Sequence, residues 1–196
     1  TILFVITALL YFVSAALYML FFTLKKEKMG LWSGKVLLGA FVVHTAALIV
    51  RSIGAGRLPL SNQYEFATSF AWGIALAFLI FARKPQYRAL GTFVVPVIFL
   101  IIGYAAMQSR QVNELMPALQ SNWLVIHVTT AIISYGSFGV AFGGSLLYLM
   151  HHRLGHNEFT ERHFPDKEKL DVLNYRIISL GFLFLTLVII TGAIWA

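Results

Sequence analysis

The first 24 residues of the chain, Thr1–Leu24, hold no charged side chain. A helix of about 20 apolar residues crosses the roughly 30 Å hydrocarbon layer of a bilayer, so this segment alone is long enough for one passage. Further apolar runs follow at short intervals, and six spans are expected at about 1–24, 36–53, 66–82, 89–107, 123–150 and 177–196. Backbone N–H and C=O groups in lipid must find partners within their own segment, which makes helices the form these runs take. Composition points the same way: 59% of the 196 residues are hydrophobic and 12% charged, whereas a soluble domain is about a quarter charged. The expected fold is all-α, a polytopic membrane bundle of six transmembrane helices forming one domain, with the lipid bilayer as its solvent.

The basic residues orient that bundle. The segments 25–35, 83–88 and 151–176 carry Lys25, Lys26, Lys28, Lys35, Arg83, Lys84, Arg88, Arg153, Arg162, Lys167, Lys169 and Arg176. The opposite side, with loops 54–64 and 108–122, carries only Arg51, Arg57 and Arg110. Twelve against three assigns the first set to the cytoplasm and puts both chain ends outside. The same placement explains the net charge of +7 as topology, with no nucleic-acid partner implied. Both termini fall inside apolar runs, and Thr1–Leu24 lacks the basic start of a signal peptide. The chain is expected to be a piece of a longer one.

Local signals mark several helix ends. Asn62 with Glu65 three residues on fits an N-cap and its reciprocal acid at the start of the third span. Val112, Leu115, Met116 and Leu119 recur at helical spacing, so Gln111–Gln120 is expected to lie as a short amphipathic helix on the outer surface. Ser121 and Asn122 then cap the fifth span, and Trp123 falls at the interface that tryptophan prefers. On the cytoplasmic side Pro165 and Asp166 can start a helix that runs on into the sixth span. Gly139 and Gly143, with Gly136 and Gly144 beside them, favour close helix packing in the fifth.

Ionisable groups within a membrane are costly, and each is a functional candidate. His44 and His127 qualify, and neutral imidazole is a common metal and heme-iron ligand. His127 lies roughly 6 Å inside the outer interface at about 1.5 Å per residue. Ala131, Ser134 and Tyr135 follow it on one helical face, which suits a flat macrocycle at the membrane edge. The alternative is an interfacial histidine bonded to a neighbouring helix. His44 lies on the second span, and the two histidines differ in depth by roughly 11 Å. One iron holds its axial ligands only two metal–nitrogen bonds apart, so these two are poor partners for a single heme, and for His44 a hydrogen bond between helices is the simpler role. His151, His152, His156 and His163 read as a solvated helix end. Cysteine is absent, so any thiol chemistry comes from a partner or substrate. No Ser-His-Asp arrangement, P-loop or pair of intramembrane carboxylates points to hydrolysis, ATP use or proton-coupled transport.

Several segments resemble the CcsA/ResC-type cytochrome c biogenesis proteins. Pro59-Leu60-Ser61-Asn62-Gln63-Tyr64-Glu65 resembles their P-x-S-N-x-Y-E segment. Trp123-Leu124-Val125-Ile126-His127-Val128, followed by Ser134-Tyr135, resembles the segment bearing their first external histidine. Leu170-Asp171, Tyr175-Arg176, Gly181-Phe182, Leu185-Thr186 and Gly192-Ala193-Ile194-Trp195-Ala196 resemble the approach to their tryptophan-rich signature, which is expected beyond Ala196. The resemblance implies heme transport to the outer face and presentation to the CxxCH motif of an apocytochrome c, as part of a System II heme lyase complex. It implies heme b as the group handled and a ResB/CcsB-type membrane subunit as partner. It makes His127 an axial ligand of the heme iron, with Trp123 and Tyr135 beside it; His44, as an ionisable residue within a span, stays a separate candidate metal ligand. A bacterial plasma membrane is the expected setting and a thylakoid membrane the alternative.

Three other readings compete with this one. A b-type cytochrome moving electrons needs histidines paired at one depth. A heme-free transporter needs polar or broken helices near the midplane, for which Pro96 and Gly103 are the only signs. A purely structural membrane subunit needs neither.

Overall fold

A computed structural model describes residues 2–112, 120–154 and 158–195. The elements in chain order are α1 (Ile2–Leu24), α2 (Glu27–Ala55), α3 (Gln63–Phe81), a 3-10 turn (Pro85–Leu90), α4 (Gly91–Ala106), α5 (Asn122–Leu154), α6 (Glu158–His163) and α7 (Lys167–Trp195). Among the described residues there is no strand. Six helical segments are long and apolar enough to cross a membrane: α1, α2, α3, the 3-10 turn continued by α4, α5 as far as Met150, and α7. The protein is thus an all-helical integral membrane protein.

Boundaries differ from expectation where charged residues sit on helices. The second helix begins at Glu27, not near residue 36, and the expected loop 25–35 shrinks to the link at Lys25–Lys26. Lys28 and Lys35 are therefore helical, which long stems permit because they carry the ammonium away from apolar surface; Lys35 Nζ lies 5.0 Å from the ring centre of Trp32. The expected sixth helix starting after Asp166 is α7, and the Leu170 N–H donates to the Asp166 carbonyl at 2.9 Å. The amphipathic helix expected over Gln111–Gln120 falls for residues 113–119 outside the described residues.

Small and hydroxylic residues share the inward faces with a few large side chains, while many large apolar residues face out. On α1 the buried residues are Thr7, Tyr11, Ser14, Ala15, Tyr18 and Phe21, a stripe at helical spacing. On α2 they are Gly30, Ser33, Leu37, Ala40, His44 and Ala47. Leu9, Phe12, Leu38, Val42, Phe182 and Ile189 are exposed. This inversion suits lipid, where apolar burial does not drive association and close packing of small residues does.

Helix pairing sets the rest. α5 packs most extensively against α7 and α1 against α2, while α3 lies against both α4 and α5. A Cβ on Gly136 of α5 would meet the Gly73 carbonyl oxygen of α3 at 2.8 Å, so only glycine allows the backbones this close. Gly139 and Gly143 instead make room for the side chains of Ile74 and Val94, so the expected small-residue spacing packs against α3 and α4. The α5–α7 seam is antiparallel: Ser134 Oγ donates to the Gly181 carbonyl at 2.9 Å, and Asn174 Nδ2 donates to Ser145 Oγ at 3.3 Å. By contrast α2 and α3 touch sparsely. Between them and α5 an apolar crevice of about 630 Å³ is lined by Leu48, Trp72, Leu76 and Ile132 among others. Trp72 bridges it, donating Nε1–H to Thr45 Oγ1 at 2.9 Å and stacking on Phe41 at 5.4 Å.

Pro96 lies inside α4, which remains helical from Gly91 to Ala106. The broken helix that a transporter reading needs is therefore not found at this residue.

Candidate functional site

Two polar centres sit at the end of the bundle where α2 stops, α3 starts and α5 begins. The first is built on Glu65. Asn62 caps α3 as expected: the Glu65 N–H donates to Asn62 Oδ1 at 2.9 Å. The reciprocal half differs. The Glu65 carboxylate does not close a capping box on Asn62 but is fully buried and shared among other donors. Arg51 Nε donates to Oε1 at 2.9 Å, and a terminal Arg51 nitrogen lies 2.8 Å from the same oxygen. Oε2 accepts from Arg57 at 2.9 Å, from the Ser61 N–H at 3.0 Å and from Ser61 Oγ at 2.8 Å. Two guanidiniums hold the carboxylate there because each brings a full positive charge to it, which a backbone N–H does not.

That cluster ties the connecting segments together. Arg51 also donates to the Arg110 carbonyl at 3.2 Å, and Asn62 Nδ2 donates to the Gln111 carbonyl at 3.3 Å. The Tyr64 ring lies beneath both cations, 4.8 Å from Arg51 and 5.8 Å from Arg110. The sequence signal was the pairing of Arg51 and Arg57, nearly the whole basic complement of that side, with one nearby acid. Reading Glu65 as a cap missed it.

The second centre is His127. It is half-buried near the start of α5, and its Nδ1 lies 3.1 Å from Thr191 Oγ1 of α7. The Trp195 ring is 6.0 Å away and tilted. The imidazole rests on Gly192, where an added Cβ would meet Cε1 at 3.1 Å. Leu60, Leu124 and Val128 form a small buried cluster beside it, with Phe66, Ile132 and Trp195 packed around. Among the described residues Nε2 has no hydrogen-bond partner. One helical turn above, Trp123 is 39% exposed, and Ile126 next to His127 is 48% exposed. His127 thus has one imidazole nitrogen held and the other open to a metal, beside an apolar aromatic border.

The other expected site residues are placed elsewhere. Tyr135 follows His127 by two turns but turns toward α3, with its ring edge-on to Phe70 at 5.7 Å and near Phe138 at 6.5 Å. His44 is fully buried against α1: its Nδ1 is 3.2 Å from the Tyr11 hydroxyl, and Phe4 meets its ring edge-on at 6.0 Å. Since His44 packs on α1 and His127 on α7, the structure does not bring the two together. His163 departs from the solvated helix end expected for the four histidines, of which His156 lies outside the described residues. The His163 ring is buried between Phe21 and Phe159, and its Nε2 lies 3.3 Å from Glu27. The short α6 is thereby pinned onto the start of α2.

Residues 60–196 match the family described as Cytochrome C assembly protein, a stretch that includes Glu65, His127 and Thr191. The chain is 37% identical over 157 residues to the cytochrome c biogenesis protein CcsA of Chlamydomonas reinhardtii, covering 76% of this chain and 44% of that one. It is 33% identical to CcsA of Prochlorococcus marinus strain MIT 9515, covering 76% and 56%, and 32% identical to CcsA of Chlorella vulgaris, covering 78% and 59%. The chain thus spans about half the length of these relatives. A match over most of the sequence, with relatives alike in identity from the alga to the cyanobacterium, means that the chain belongs to the cytochrome c assembly protein family.

Proposed function

We propose that this chain is the part of a cytochrome c maturation protein that receives heme b at the outer membrane face, with His127 as one axial ligand of its iron. The observation that carries the reading is the half-buried imidazole of His127, anchored through Nδ1 to Thr191 and bordered by Trp195, with Nε2 lacking a partner among the described residues. Heme b supplies two vinyl groups, to which the cysteine thiols of an apocytochrome CxxCH motif add to form thioethers. The chain has no cysteine of its own, so those thiols belong to the substrate. The role of His127 is to hold and orient the iron; Trp123 and Trp195 flank it with apolar aromatic surface, and the Glu65 cluster keeps the neighbouring loops in place. Tyr135 supports α5 through Phe70, and His44 serves packing with Tyr11.

The charge bias of the loops supports an outer location for this end of the bundle. A ResB/CcsB-type subunit is the partner in this reading, and the complex acts as a heme lyase. The membrane is a bacterial plasma membrane or a thylakoid membrane, both compatible with relatives from an alga and Prochlorococcus. The b-type cytochrome reading is less well supported, because His44 and His127 pack on different helices.

The test is the absorption spectrum of the full-length protein purified with its partner, for wild type and His127→Gly. Loss of the heme bands and of c-type cytochrome product, restored by added imidazole, is the expected result. An unchanged spectrum and yield would remove His127 from the site.

A further inference from the structure

We infer that Thr191 is a positioning residue that selects the iron-binding tautomer of His127, an inference that rests on the reading of His127 as a heme ligand. A threonine hydroxyl has one hydrogen to give and lone pairs to accept with. Thr191 Oγ1 lies 2.7 Å from the Leu187 carbonyl and 3.2 Å from the Val188 carbonyl, and a carbonyl can only accept. The short contact therefore takes the Thr191 proton. What remains facing His127 Nδ1, at 3.1 Å, is a lone pair.

A lone pair opposite an unprotonated ring nitrogen is repulsive, so Nδ1 carries the hydrogen and donates it to Thr191. In a neutral imidazole the other nitrogen, Nε2, then has its lone pair available. That is the nitrogen with no partner among the described residues. A hydroxyl free to rotate would hold either tautomer, whereas one committed to its own helix backbone holds one. Thr191 is 8% exposed, so water competes poorly for this contact. Gly192 reinforces it by letting the ring lie against α7, and the Ser134 hydroxyl, donating to the Gly181 carbonyl, ties the two helices together below. An N–H donated to a fixed oxygen also raises the basicity of the coordinating nitrogen.

The experiment compares Thr191→Val, Thr191→Ser and His127→Gly in the full-length protein purified with its partner. Each is titrated with hemin, and the midpoint potential of the bound heme is measured. Valine keeps the shape and removes the acceptor; serine keeps the acceptor. The expected outcome is a 10- to 100-fold weaker hemin affinity in Thr191→Val, an upward shift of its midpoint potential as the ligand becomes less basic, and recovery of both in Thr191→Ser. Wild-type affinity and potential in Thr191→Val, alongside loss of heme in His127→Gly, would overturn the role of Thr191 and leave His127 as ligand. Equal losses in the valine and serine variants would also overturn it, by reducing Thr191 to a packing residue. Heme retention in His127→Gly would instead sink the ligand reading itself.

Discussion

Arg51, near the end of α2, places two of its nitrogens within 2.9 Å of one oxygen of Glu65, in the first turn of α3. Glu65 is completely buried, and Arg57 from the intervening loop holds its second oxygen. A carboxylate at a helix N-terminus is already favoured by the helix dipole. Here it also neutralises two guanidiniums that the fold has drawn in from solvent.

Removing that carboxylate leaves both arginines uncompensated. Glu65→Ala is expected to lower stability by about 3–5 kcal/mol, the range for breaking a buried pair by deleting one partner. Thermal unfolding in detergent reads the loss. Arg51→Ala combined with Glu65→Ala should cost clearly less than the two single losses added together, because one interaction is being removed twice. Additive losses would show that the pair is not coupled.

Asn62 has a smaller, separable role. Asn62→Ala removes the cap on α3 and should cost about 1 kcal/mol. It also frees the Gln111 carbonyl, so faster amide exchange is expected in the first turn of α3 and around residues 108–112. Unchanged exchange there would mean that the cap carries none of the loop's order.

The α3–α5 contact admits no side chain at its closest point. Gly136→Ala puts a methyl 2.8 Å from the Gly73 carbonyl and should destabilise the bundle, by about 1–3 kcal/mol as overpacking does. Gly39→Ala is the control, since nothing lies within 4 Å of its added methyl. A melting temperature lowered by Gly136→Ala and not by Gly39→Ala is the expected pattern.

The two intramembrane histidines should separate by experiment. His44→Phe removes the bond to Tyr11 and strains a fully buried site, so a loss of stability with heme retained per folded protein is expected. Heme lost in proportion to ligand removal from His44→Phe, at wild-type stability, would move His44 into the site.

Much of the architecture was legible without coordinates because lipid makes secondary structure a local matter. A backbone in hydrocarbon must satisfy itself within its own segment, so runs such as Thr1–Leu24 and Ile177–Ala196 announce helices by length and apolarity alone. Asn62 as a cap was equally legible, since capping links residues three apart. The inward stripe on α1, from Thr7 to Phe21, follows the same short-range periodicity.

What the sequence by itself determined is therefore the all-helical membrane bundle and the candidate status of His127 as an ionisable group within it. The tertiary structure alone decided what each polar group meets. Arg51 and Arg57 reach Glu65 only because α2 and the loop fold back over the start of α3. Thr191 reaches His127 across 64 residues of chain because α5 and α7 pack antiparallel. His163, expected at a solvated helix end, is buried because α6 folds onto Phe21 and Glu27. The physical reason is range: helix formation and capping are settled within a few residues, whereas hydrogen-bond partners between helices depend on packing that no single segment encodes.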